Sequence, residues 1–244
     1  MIMHEFGCEN SKTILLLHGA GCTYRMWTPQ IEELSKHYHL YVPSLSGHEN
    51  EDVDYVSADE EADIILKWFE KREVNYIDLI CGASLGAHVS ASLLKKAPKF
   101  FRLAFVESLK GQQYTGITLK LFCYFGAKFM RQCAKVKGYM AGCYKQKYAS
   151  DDCKSTIQNM TDTSLKNIMI ESGCYRIKND NNLISTNTII IYGEKEKKEC
   201  IVNTDILKKQ IEQCEVIEIP NYHHGELSIG NPKEHIQWIK RILE

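Results

Sequence analysis

Short runs of apolar residues recur along the chain, and between them apolar positions return every three or four residues. Thr13-Ile14-Leu15-Leu16-Leu17 is the first such run and predicts a buried strand. Tyr38-His39-Leu40-Tyr41-Val42, Tyr76-Ile77-Asp78-Leu79-Ile80-Cys81 and Leu103-Ala104-Phe105-Val106 predict three more. Thr188-Ile189-Ile190-Ile191-Tyr192 and Val216-Ile217-Glu218-Ile219 complete the set. Helical spacing fills the gaps. A helix is expected over 29–36, with Thr28 as its N-cap and Pro29 in its first position. Another is expected over 58–72, where Ala62, Ile65, Leu66 and Phe69 share one face. Further helices are expected over 87–96, 205–213 and 232–243. Near-continuous apolar strands that alternate with helices predict an α/β protein with a doubly wound, mostly parallel sheet.

The alternation stops between residues 108 and 183. That stretch is helical in character and rich in aromatic residues and methionine, among them Leu119, Leu121, Phe122, Tyr124, Phe125, Phe129, Met130, Tyr139, Met140 and Tyr144. It is expected to form a helical cap, inserted into a core made of residues 1–107 and 184–244. Residues 108–180 hold 12 Lys and Arg against 5 Asp and Glu, a balance of +7 in a chain whose net charge is −1. Such an excess is either a solvated basic face or a lid that attracts an anionic substrate.

Candidate chemistry centres on Gly82-Ala83-Ser84-Leu85-Gly86, which lies between a predicted strand and a predicted helix. A tight strand-to-helix turn strains its central residue, and glycines two before and two after remove side chains that would collide there. Ser84 would stand clear of the sheet as a nucleophile. A serine hydroxyl needs a base, an orienting acid and oxyanion donors. The base is expected from His223-His224, after the last strand and before the last helix; His224, which precedes Gly225, is preferred to His223. The acid is expected from the loop after the preceding strand, Gly193-Glu194-Lys195-Glu196-Lys197-Lys198-Glu199. Glu196 is preferred, and Glu194, Glu199 and Asp205 are the alternatives. The amides of Leu85 and of Ala20, in His18-Gly19-Ala20-Gly21, are the expected oxyanion donors. His18 reads as a packed brace of that loop.

Together these segments resemble the α/β-hydrolase superfamily, of the compact type with a helical cap. The likeness rests on Leu17-His18-Gly19-Ala20-Gly21 with Trp27 downstream, Val42-Pro43 through Gly47-His48, the Ser84 turn, Tyr192 to Glu196, and His223-His224-Gly225. Three positions depart from the usual pattern: Ser44 where aspartate is common, Ala83 where histidine or an aromatic is common, and Glu196 where aspartate is common. The resemblance implies a carboxylic ester hydrolase without metal or organic cofactor, acting on a small ester or thioester, and the aromatic cap suggests an apolar acyl or alkyl group in that substrate. The same fold also serves lyase and C–C bond chemistry, as in hydroxynitrile lyases and some menaquinone-pathway enzymes, and non-catalytic ligand binding.

Composition adds little to this. A net charge of −1 gives no general reason to bind nucleic acid, and no apolar run approaches the length of a membrane span. The N-terminus lacks a signal pattern, and the ten cysteines contain no C-x-x-C pair, which favours reduced thiols in a cytoplasm.

Overall fold

The computed structural model describes residues 1–49, 52–111, 113–135, 147–178 and 183–244. Seven strands form one sheet: β1 (Ile2–Phe6), β2 (Thr13–Leu17), β3 (His39–Ser44), β4 (Ile77–Ala83), β5 (Phe101–Glu107), β6 (Asn187–Gly193) and β7 (Cys214–Ile219). Their order is β1-β3-β2-β4-β5-β6-β7. All neighbours run parallel except β1, which pairs antiparallel with β3 at one edge. The doubly wound, mostly parallel sheet expected from the apolar runs is therefore present.

The core helices are α1 (Thr28–Leu34), α2 (Ala58–Glu70), α3 (Leu85–Lys96), α7 (Lys197–Gln210) and α8 (Pro232–Leu243); those of the 108–183 stretch are α4 (Gly116–Lys135), α5 (Lys147–Asn159) and α6 (Asp162–Cys174). Both faces of the sheet are covered. Cys81 of β4 points to α8, where its Sγ lies 3.5 Å from His235 Nε2. The next residue, Gly82, faces α3, and a Cβ there would meet Ser90 Oγ at 2.3 Å. Ile14 to Leu17, Leu79, Ile80, Phe105 and Val106 are all buried between these layers.

Three details differ from the sequence expectation. Thr28 is the first residue of α1 rather than its cap: a 3-10 turn, Tyr24–Trp27, runs directly into the helix, and the Thr28 hydroxyl donates back to the Arg25 carbonyl at 2.7 Å. Helix α7 starts eight residues earlier than expected and ends at Gln210 instead of 213. Its buried face is largely polar, with Asn203, Thr204 and Gln210, so no apolar period announces its first two turns. Strand β1 was not expected at all.

The helices of the 108–183 stretch are tied to the core by polar contacts. Asp152 of α5 accepts the Thr23 amide and the Thr23 hydroxyl, both at 2.8 Å. Asp54 accepts hydroxyls from Thr161 and, at 2.9 Å, from Ser164. A Cβ on Gly21 would lie 2.9 Å from Ile157 Cγ1, so α5 rests on the loop that follows β2. Tyr139, Met140, Cys143 and Tyr144 lie outside the described residues. Among the described residues, eight cysteines are free thiols and no helix is long and apolar enough to cross a membrane.

Candidate active site

Parallel strands share a carboxyl edge, and ligand sites of open α/β sheets lie there. Here β2, β4, β5, β6 and β7 deliver to that edge the segments bearing Ala20, Ser84, Ser108, Glu196 and His224. Register sets their proximity: Leu17 pairs with Gly82, Ala83 with Glu107, Glu107 with Ile191, and Gly193 with Ile219.

Ser84 sits at φ 57°, ψ −112°, a strained conformation for a residue with a side chain. Three backbone hydrogen bonds hold it. Its amide donates to the Glu107 carbonyl at 3.0 Å, and its carbonyl accepts the amides of Ala87 and His88. The flanking glycines are obligatory on steric grounds. A Cβ at Gly86 would lie 2.1 Å from the Leu17 carbonyl oxygen, and one at Gly82 would lie 2.3 Å from that of Gly86.

The hydroxyl meets the imidazole preferred from the sequence. Ser84 Oγ is 2.9 Å from His224 Nε2, and His224 Nδ1 is 2.6 Å from Glu196 Oε2. His223 is exposed, and its amide donates to Glu226. Of the alternative acids, Glu194 accepts the Asn221 amide at 2.8 Å, Glu199 pairs with Lys110, and Asp205 is exposed on α7. The acid turn and the histidine loop are fastened together. The Lys195 amide donates to the Tyr222 carbonyl at 3.1 Å, and a Cβ at Gly193 would strike that same oxygen at 2.2 Å.

Glu196 is 4% exposed, and burial alone would raise its carboxyl. Hydrogen bonds from His224, from the Ser108 hydroxyl at 2.5 Å and from the Gly193 amide at 3.2 Å outweigh burial and hold it below the ordinary value. An ionised Glu196 only accepts, so the proton it faces belongs to His224 Nδ1. Nε2 is then the acceptor for the Ser84 hydroxyl.

Of the segments expected to supply oxyanion donors, Leu85 follows the serine directly and the loop bearing Ala20 packs against it. Leu85 is the first residue of α3, where helix geometry leaves the amide without an intrahelical acceptor. Gly19, next to Ala20, packs on Ser84; its Cβ would sit 3.5 Å from Ser84 Cβ. His18 braces that loop. The Leu45 amide donates to its Nε2 at 2.9 Å, which places its proton on Nδ1, 2.8 Å from the Gly19 carbonyl. Burial and the nearby His48 lower its pKa well below the usual range, so it is neutral.

Glu107 and Ser108 were not expected at the site. Ser108 is buried at φ 60°; its hydroxyl donates to Glu196 and accepts the Gly225 amide at 3.4 Å. Glu107 accepts the amides of Leu227 and Ser228, at 3.2 and 3.1 Å, in the π-helical turn that follows His224. Burial, with the neighbouring Glu196 charge, pushes its pKa up to about 7, even though these amides pull the other way. The signal for both was a Glu-Ser pair ending an apolar run next to the Ser84 strand.

A raised carboxyl pKa sets a direction for stability. Folded Glu107 keeps its proton where the unfolded chain has released it, so its contribution is full below about 4.5 and lost as pH rises through about 7. Ionising it in the folded state costs up to about 3 kcal/mol. Glu107→Gln keeps one acceptor oxygen and cannot ionise. Urea unfolding at pH 5 and pH 8 is expected to show a smaller loss of stability in the variant than in the wild type. Glu171, also pushed up to about 7, retains the rest of the slope.

Comparison with known proteins agrees with this fold. The model of the alpha/beta hydrolase family matches residues 14–135. An alpha/beta hydrolase family protein from Desulfitobacterium hafniense superposes with a TM-score of 0.83 at 20% identity, over 100% of each chain. The enol-lactonase of Burkholderia xenovorans superposes with a TM-score of 0.79 at 14% identity, over 99% of this chain and 95% of the other. The (E)-2-((N-methylformamido)methylene)succinate hydrolase of Acinetobacter baylyi is 40% identical over 45 residues, which span 18% of this chain and 17% of that enzyme. Fold, strand order and the family match converge: the chain is a member of the alpha/beta hydrolase family.

Proposed function

We propose that this protein is a serine hydrolase that cleaves a carboxylic ester, or a thioester, of a small and partly apolar substrate. The observation that carries the reading is the continuous chain from Ser84 Oγ through the His224 ring to Glu196 Oε2, with links of 2.9 and 2.6 Å. Ser84 attacks the carbonyl carbon as its proton passes to His224 Nε2. Glu196 stays ionised and stabilises the imidazolium. The amides of Ala20 and Leu85 receive the oxyanion, each donor contributing about 3 kcal/mol to the transition state. Collapse expels the alcohol, which takes the proton from His224, and leaves an acyl group on Ser84. Water, deprotonated by the same imidazole, releases the acid and restores the hydroxyl.

Ile157, which rests on the donor loop, supports an apolar acyl or alkyl group in the substrate. A lactone is a cyclic ester, so the reaction in the name of the Burkholderia structure falls within this class.

The test is direct observation of the acyl group. The protein mixed with p-nitrophenyl acetate and quenched in acid is expected to carry an acetyl increment on the peptide containing Ser84. A panel of esters and acyl thioesters of rising chain length then ranks the substrates. Steady turnover without acylation of Ser84 points to lyase-type or direct hydrolytic chemistry and removes the proposal.

A further inference from the structure

Helix α4 has two apolar faces, and only one is covered. On the inner face Phe122 stacks on Tyr114 with ring centroids 4.4 Å apart. A Cβ at Gly126 would meet Met169 at 2.4 Å, and one at Gly173 would meet Phe122 at 2.9 Å, so α4 and α6 are in close contact there. The outer face is different. Ile117, Leu121, Tyr124 and Phe125 are 68%, 50%, 58% and 61% exposed. Spacings of four, three and one place them in one stripe along the helix. Beside the stripe, the trough between α4 and α6 encloses about 650 Å³ over a floor that includes Leu119, Cys123 and Ile170.

The charge around this apolar surface is predominantly positive. Lys120, Lys128 and Lys166 edge the trough. Arg131 is the fourth cation there, and Asp162, the single acid lining it, is already engaged by Arg131 at 2.7 Å. Among the described residues, Lys120 and Lys166 have no carboxylate within ion-pair distance. Lys128 lies 4.2 Å over the Tyr124 ring and donates to its hydroxyl at 2.8 Å, joining charge to stripe.

We propose that the outer face of α4, with the lysines that edge it, docks the protein on an anionic lipid surface. A helix lying in a membrane interface needs large apolar residues on one side and cations flanking them, without the length of a span. Helix α4 supplies 20 residues, about 30 Å of such a surface. The sign of the charge selects the partner. Each lysine held near an anionic bilayer strengthens binding about fivefold, and a zwitterionic one gives no such gain. A second copy of this chain is a poorer occupant, because a two-fold contact through this face would set lysines against lysines. Docking does not depend on the ester chemistry at Ser84.

The experiment uses the full chain and two kinds of vesicle, pure phosphatidylcholine and phosphatidylcholine with about 30% phosphatidylglycerol. The protein is expected to co-sediment with the mixed vesicles and to be released in about 0.5 M salt. Two variants separate charge from apolar contact: Lys120→Glu/Lys128→Glu/Lys166→Glu and Leu121→Ser/Phe125→Ser. Each is expected to lower vesicle binding at least about tenfold. Each should keep the wild-type helical spectrum and the wild-type rate on dissolved p-nitrophenyl acetate. No binding, equal binding to pure phosphatidylcholine, or a dimer in solution that Leu121→Ser/Phe125→Ser disperses would overturn the proposal. Vesicle binding with no ester turnover would instead sink the hydrolase reading and leave docking standing.

Discussion

Ser84→Ala is expected to lower kcat for p-nitrophenyl esters by about 10⁶-fold while the protein stays folded. Alanine keeps the Cβ that serine already carries at φ 57°, so the strained turn is neither relieved nor worsened. The Ser84 amide and carbonyl bonds to Glu107, Ala87 and His88 are backbone interactions and remain. What disappears is the hydroxyl that lies 2.9 Å from His224 Nε2. The residual rate is expected from water in a site whose proposed oxyanion donors are intact. The measurement is steady-state kinetics beside a thermal unfolding curve. Activity above about a hundredth of wild type, with an unchanged curve, would exclude nucleophilic attack by this serine.

Glu196→Gln is expected to lower kcat by about 10⁴-fold and to leave KM nearly unchanged. The substitution preserves shape. A glutamine carbonyl oxygen can still accept the Ser108 hydroxyl and the Gly193 amide, as Glu196 Oε1 does. Its NH₂ group then faces His224 Nδ1 and donates to it. That reverses the tautomer: Nε2 carries the proton and cannot take one from Ser84. The imidazolium also loses its counter-charge in a site where Glu196 is 4% exposed. Glu199→Gln is the control, since Glu199 pairs with Lys110 rather than with the histidine. It should stay within about tenfold of wild type. A loss in the Glu199 variant equal to that in the Glu196 variant would mean that another carboxylate orients the base.

Much of the site is legible in the sequence because sterics leave few choices. Gly82 and Gly86 bracket Ser84 since any side chain there would meet backbone at 2.3 or 2.1 Å. The last helix is read to the residue, Pro232–Leu243, because proline opens it and its buried positions, His235, Ile236, Ile239 and Leu243, keep a helical spacing. His224 is separable from His223 by its place before Gly225, which takes φ 65° and turns the chain into the next helical segment.

What was missed shares a different physics. Strand β1, Ile-Met-His-Glu-Phe, is a half-buried edge pair, and its identity comes from β3 alongside it rather than from its own pattern. Helix α7 begins inside a run of lysine and glutamate whose helical bias is masked by its charge, and polar side chains fill its buried face. Glu107 and Ser108 end a strand where an apolar run stops, which looks like the start of a loop. Their importance appears only when β5 is placed between β4 and β6.

The tie between Asp152 and Thr23 has a practical consequence. One carboxylate of α5 holds both the amide and the hydroxyl of a residue three positions beyond Ala20. Helix α5 and the loop that carries Ala20 are therefore a single mechanical part. A helix grafted here from a relative would leave the Thr23 amide and hydroxyl without their acceptor unless it carried an acid to the same spot.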